Sequence, residues 1–271
     1  ALPIFPYIPF WVERLVLGKK KYIIDIDDAW FDRYRLHKKK IIRMMVGQKI
    51  YKLFAGAETV FSGSPYLYNT ALEYNQKALF LPSVINIEKY FVQQLVGDFT
   101  NVENCVIIGW IGTKTTVSYL ELVIDVLDKV QQRLPEIKLV LLVVGAAIVH
   151  RPKHVQVIEK TWSEDSEVAL IYSMDIGIMP LSDSVWERGK CAYKLLQYMG
   201  CSKPVIASAV GANNVGDVYP DTNPTTVPAF TNTSPGLTSS PSTDLSNANQ
   251  FVYSRAVSQY GLNGRYLFAR I

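Results

Sequence analysis

Between Met174 and Gly211 the chain reads MDIGIMPLSDSVWERGKCAYKLLQYMGCSKPVIASAVG, in the order strand, loop, helix, strand and glycine turn. That order restricts the fold more than any other stretch. A short apolar strand joined through a helix to a second short apolar strand, PVIAS, is the repeat unit of a parallel sheet with both faces covered. A helix started near Lys190 puts Lys190, Lys194 and Gln197 on one face, their spacings being four and then three, and Ala192, Leu195, Leu196 and Met199 on the other. With its apolar side on a sheet, such a helix presents two ammonium groups and an amide beside its own free N-terminal amides, which suits an anion. An ordinary solvated lysine face is the plain alternative. The preceding loop brings Ser182, Asp183, Glu187 and Arg188 beside Gly189, where backbone can approach a ligand closely.

The same unit recurs elsewhere. CVIIGWIGTKTTVSYLELVIDVLDKV is an apolar strand, a Gly109 to Gly112 turn and a helix with its start marked by Thr115 and Thr116, so the amides of Gly112 and Thr113, with Lys114, form a second candidate phosphate contact. KYIIDIDDAWFDRY is a strand over Tyr22–Ile26 with Asp25, Asp27 and Asp28 at its carboxyl end, where parallel sheets place working groups. Three aspartates in four positions also fit a divalent cation, and Asp27 or Asp28 equally fits a helix cap. AETVFSGSPYLYNTALEY repeats strand, small-residue turn and helix, with Ser62, Gly63 and Ser64 in the turn. Leu36 to Phe54 reads as one amphipathic basic helix with Ile42, Val46, Ile50 and Leu53 on its apolar stripe, and its cationic face is a candidate peripheral membrane contact through residues 36–54.

The pieces DIGIMPL, WERGKC, KLLQYM, KPVIAS and AVGAN, in that order, resemble the donor half of a GT-B glycosyltransferase, of the large retaining family 4, also called group 1. The resemblance implies an α/β fold of two Rossmann-like parallel-sheet domains. It implies a nucleotide-sugar donor, a glycan, lipid-linked or small-molecule acceptor, no metal and no nucleic acid. In that family the helix after the glycine contacts the donor's diphosphate and ribose, which makes Lys190 a phosphate contact, Lys194 its companion and Gln197 the occupant of a slot usually filled by glutamate. Gly189 stands near the slot of a second glutamate that is also missing. Gly112, Thr113 and Lys114 match the family's first donor-domain loop, and Trp162 the segment beside the nucleotide base. Asp27 stands near a common family histidine, and Asp27 and Glu187 are the candidate catalytic carboxylates.

The likeness is incomplete at the front, because 21 residues before Tyr22 leave no room for the family's first strand, glycine loop and following units. The expected division is a partial acceptor-side domain over residues 1–100, a donor domain over 101–218, a polar linker over 219–250 and a C-terminal helix over 251–271. The linker contains five Pro and seven Thr, a composition that builds no core. A net charge of +4 is too weak for a dedicated nucleic-acid binder, and three irregularly spaced cysteines make no disulfide framework, which points to a reducing, cytoplasmic setting with contact at the cytoplasmic membrane face. Two other readings stay open. One is a truncated, non-catalytic nucleotide-binding remnant; the other is a nucleotide-sugar epimerase, for which no base set is evident.

Overall fold

The computed structural model describes residues 6–90, 105–213 and 268–270. Two parallel sheets divide these residues into two units, and the division does not follow the sequence. In place of contiguous domains over 1–100 and 101–218, the first unit takes residues 6–83, 183–192 and 210–213, and the second takes 84–90, 105–182, 193–209 and 268–270.

The first unit opens with α1 (Phe10–Leu17), which ends at Gly18, whose positive φ of 58° lets its N–H close back on the Arg14 carbonyl. Then come β1 (Ile23–Ile26), α2 (Trp30–Arg35), α3 (Lys40–Val46), α4 (Lys49–Gly56), β2 (Thr59–Ser62), α5 (Pro65–Leu72) and β3 (Ala78–Phe80). The strands run parallel in the order β1-β2-β3, with Ile24 beside Val60 and Val60 beside Ala78. Ile24, Ile26 and Val60 pack into one core with Phe31, Ile50, Leu53, Phe54 and Leu67. Beneath α1, Glu13 and Lys49 form a buried ion pair of 2.8 Å.

The single helix expected over Leu36 to Phe54 is two helices, α3 and α4, broken at Gly47 and Gln48. Its apolar stripe nevertheless survives the break, since Val46, Ile50 and Leu53 are buried and Ile42 packs against the same core. Burial of one stripe, not helix propensity, fixes both helices.

The second unit is doubly wound. It starts with α6 (Ile87–Tyr90) and β4 (Cys105–Ile111), and a 3-10 turn over Val117–Leu120 leads into α7 (Glu121–Arg133). β5 (Lys138–Val144), β6 (Gln156–Lys160), α8 (Glu164–Tyr172) and β7 (Ile176–Met179) follow; after α9 (Val185–Arg188), part of the first unit, come α10 (Tyr193–Gly200), β8 (Val205–Ala207) and β9 (Phe268–Arg270). All neighbours pair parallel in the order β6-β5-β4-β7-β8-β9. Val140 to Val144 are buried without a break, as a strand covered on both faces requires. From β4 the sheet grows one way to β5 and β6 and the other way to β7, β8 and β9, and the crevice at such a reversal is where open α/β sheets hold ligands. Where a helix was expected over 251–271, Phe268–Arg270 is a strand beside β8, and the rest of that segment lies outside the described residues, as does the linker over 219–250. Among the described residues no helix is long and apolar enough to cross a membrane.

Candidate active site

In the second unit the loop after β4 lies at the strand reversal, and the buried ring of Trp110 organises it. Gly112 passes so close to that indole that a side chain at position 112 would overlap the ring. Gly145, after β5, has φ 87° and lies against the Gly112 carbonyl, where any side chain would collide. On α10, Lys194 holds its ammonium 4.9 Å from the centre of the Trp110 ring, within cation–π range. One aromatic side chain therefore sets both the glycine loop and a lysine. The amides expected to face a phosphate are otherwise engaged. Gly112 N–H donates to the Val144 carbonyl at 3.0 Å and Thr113 N–H to the Thr116 hydroxyl at 3.1 Å. What the loop offers outward is the exposed Lys114 together with the Thr113 and Thr115 hydroxyls, which are 2.8 Å apart.

A chain of polar groups connects α10 to Trp162. Gln197, expected to face a ribose, is buried and donates from Nε2 to the Tyr90 hydroxyl at 3.1 Å. Tyr90 donates in turn to Glu167 Oε1 at 2.5 Å, and Trp162 Nε1 donates to Glu167 Oε2 at 2.8 Å. Burial, followed by the hydrogen bond to Glu167, holds the Tyr90 phenol far above its ordinary range, so it stays a neutral donor. Half of the Trp162 surface remains exposed while its indole nitrogen is tied down.

In the first unit Lys190 is not on a helix. α10 begins at Tyr193, and Ala192 takes a left-handed φ of 56°, so the expected common face of Lys190, Lys194 and Gln197 does not form. The segment is instead held to the loop after β1. Lys190 Nζ donates to Asp28 Oδ1 at 2.7 Å, Cys191 Sγ donates to the Asp27 carbonyl at 3.1 Å, and Gly189 passes Ala29 so closely that a Cβ there would lie 2.8 Å from the Ala29 nitrogen. The Gly189 carbonyl also accepts from Ser64, the residue that caps α5. Trp186 lies under Lys190 at 5.0 Å and under Arg33 at 5.2 Å, and it meets Trp30 edge to face at 5.6 Å. Of the two candidate carboxylates, Asp27 is exposed, whereas Glu187 is buried and takes a hydrogen bond from the Ser184 hydroxyl. Asp183 is paired with Arg188 through two bonds of 2.8 and 3.2 Å. Among the described residues no group of three or more His, Cys, Asp and Glu side chains is placed to hold a metal ion, so the aspartates after β1 are not gathered into a ligand set.

Residues 105–229 match the family model described as Glycosyl transferases group 1. That stretch is similar to the group 1 glycosyltransferases. Among solved structures, the chain is similar to a UDP-forming α,α-trehalose-phosphate synthase from Burkholderia vietnamiensis, at 10% identity and a TM-score of 0.52 over 75% of this chain and 58% of that one. It is likewise similar to the enzyme of the same description from Burkholderia xenovorans, at 10% identity and a TM-score of 0.51 over 74% of this chain and 56% of that one. These likenesses show the fold, which is GT-B. The chain spans little more than half the length of either structure. A comparison with curated proteins found no match.

In both units the site residues that the sequence did not reveal are aromatic. Trp110 was legible only as a strand residue, although its place two before Gly112 marks the close approach, and the four-residue spacing of Trp186 and Lys190 was a cation–π signal. Cys191 yields a direct test of the first-unit geometry. Burial, with the Asp27 and Asp28 carboxylates adding to it, pushes its thiol up to about 12. Only the thiolate alkylates, so at pH 8 its reactive fraction is roughly one in ten thousand. Peptide mapping after iodoacetamide treatment at pH 8 is expected to find Cys191 modified about 100-fold or more slowly in the native chain than in urea. Equal rates would show that the loop after β1 does not hold it.

Proposed function

We propose that this chain moves a glycosyl group from a nucleotide-diphosphate sugar to a hydroxyl of a glycan, lipid-linked or small-molecule acceptor, with retention. The observation that carries the reading is the grouping of Lys194, Trp110 and the Gly112 loop at the strand reversal of a stretch that matches the group 1 family. In this reading Lys194 and Lys114 meet the donor's diphosphate, the half-exposed Trp162 takes the base, and no metal takes part. Breaking the bond from the sugar to the diphosphate leaves negative charge on the leaving oxygen, and fixed cations lower that barrier because they need no reorganisation. Asp27, exposed after β1, contacts an acceptor or donor hydroxyl. Glu187, being buried, shapes the Trp186–Lys190 turn and does not touch substrate.

Lys190 contributes through exchange. Without donor it is held by one carboxylate, that of Asp28, and a diphosphate carrying more charge competes for the same ammonium. Lys190→Ala is expected to weaken binding of a nucleoside diphosphate by about 1 to 3 kcal/mol in calorimetric titrations against UDP, ADP and GDP, the scale of a hydrogen bond to a charged group. Asp28→Asn is expected not to weaken it. Unchanged affinity in Lys190→Ala removes Lys190 from the site.

The burial of Glu187, one of the two candidate carboxylates, favours a second reading, a nucleotide-binding remnant without turnover. Incubation with labelled nucleotide sugars separates the two: labelled product supports transfer, while nucleotide binding with no product and no hydrolysis supports the remnant.

A further inference from the structure

Two stretches of the first unit repeat one pattern, an exposed apolar helix face beside a lysine triplet. In α1, Trp11 is 64% and Leu15 73% exposed, one turn apart, and Lys19, Lys20 and Lys21 follow the helix. In α3, Ile41 is 65% and Met44 77% exposed, with Met45 beside them, and Lys38, Lys39 and Lys40 lead into the helix. These are not core faces turned outward. The core-facing sides of the same helices are already packed, through Phe10 and Leu17 in α1 and Ile42 and Val46 in α3.

The two helices start near one another and rest on a common support. Tyr7, just before α1, meets the His37 ring, just before α3, at 6.0 Å, and both helices pack on α4. Arg43 donates to the His37 and Lys38 carbonyls at 2.6 and 3.1 Å, which fixes the second triplet to the first turn of α3. The charge is predominantly of one sign, the exception being Glu58, which pairs with Lys21 at 3.3 Å. No acidic residue occurs from Leu36 to Ala57, and the one acid of α1, Glu13, is buried against Lys49.

We propose that this face docks on an anionic phospholipid surface. Trp11, Leu15, Ile41 and Met44 enter the boundary between headgroups and acyl chains, and the lysines of the two triplets lie among the phosphates. Short helices with large apolar side chains on one side and cations at the edge bind such surfaces by adding apolar burial to electrostatic attraction. Charge complementarity selects this occupant, because a neutral protein partner would gain nothing from the lysines, whereas anionic headgroups present a sheet of negative charge to them. The contact differs from the one expected for residues 36–54 as a single helix: the stripe of Val46, Ile50 and Leu53 is buried, and the docking residues come from α1 and the opposite side of α3. It stands independently of the glycosyl-transfer reading.

Sedimentation of the whole chain with vesicles tests the proposal. The chain is expected to pellet with phosphatidylcholine vesicles containing phosphatidylglycerol, to bind pure phosphatidylcholine at least tenfold more weakly, and to lose most of its binding when salt is raised. The double variant Leu15→Glu/Met44→Glu, which alters only exposed positions, is expected to bind the anionic vesicles about tenfold more weakly while keeping the parent's thermal melt. Trp11 fluorescence should shift to the blue on binding and be quenched by bromine-labelled lipid. Equal binding to both vesicle types, unchanged binding of the double variant, or a parent that self-associates through this face and ignores vesicles would each overturn it.

Discussion

Glu13→Ala is expected to cost the first unit about 3 to 5 kcal/mol, a large share of the stability of an ordinary domain. The Lys49 ammonium is fully buried, 2.8 Å from the Glu13 carboxylate and 6.0 Å from the centre of the Tyr34 ring. Bringing both charges out of water is compensated by their attraction at close range, so removing the acid leaves a buried positive charge short of its carboxylate. The pair itself need not be strongly stabilising. Exchanging both partners for apolar groups of similar volume, as in Glu13→Leu/Lys49→Met, removes the desolvation penalty with the attraction, and is expected to recover most of the loss. Urea denaturation followed by calorimetry decides the matter, read as two transitions because the two units need not melt together. A loss below about 1 kcal/mol in Glu13→Ala would mean that water reaches Lys49.

Trp110→Ala is expected to cost the second unit about 3 to 5 kcal/mol, the usual range for deleting a buried tryptophan. Its stability effect comes from the core, where Trp110 packs with Ile108, Leu120 and Leu141. Its functional effect comes from what stands around the ring. Gly112 loses the surface that places it, and Lys194 loses the π face 4.9 Å below its ammonium. Nucleotide affinity should therefore fall even at temperatures where the variant is still folded. Trp110→Phe keeps an aromatic face and restores part of both. Titration with UDP well below the melting temperature separates the effects: a variant that is destabilised but binds with parental affinity would show that Trp110 serves only the core.

How much of this was legible in the sequence depends on the range of the interactions. Continuous apolar runs marked β4, β5 and β8, since a strand buried on both faces announces itself locally, and Gly18 marked the end of α1 for an equally local reason. The helix over Leu36 to Phe54 failed at its first four residues and again at Gly47 and Gln48. Its apolar period continues through the break, and periodicity does not register a single glycine. The start of α10 failed for a different cause. Lys190 and Cys191 fit the helical period, but both are held by Asp27 and Asp28, more than 160 positions away, and those contacts outweigh local preference. Gln197 reads as a surface amide in its own helix; only Tyr90, 107 positions earlier, makes it a buried one. Trp162 and the role of Asp27 rested on family likeness, whereas Lys194 was read first from helical spacing and Lys114 from its place in the glycine turn. The structure leaves Asp27, Lys114 and Trp162 exposed and Lys194 partly so.

The interleaving of the two units has a consequence for dissection of the chain. Trp30 and Ala29, encoded early, are completed by Trp186 and Gly189, encoded after most of the second sheet, and β7 reaches α10 only by passing through residues that belong to the first unit. No single cut liberates the first unit intact. A protease nick or gene truncation after Ser83 would strip the early fragment of Trp186 and Gly189, so synthesis of the early part must wait for the late part before its tryptophan edge can close.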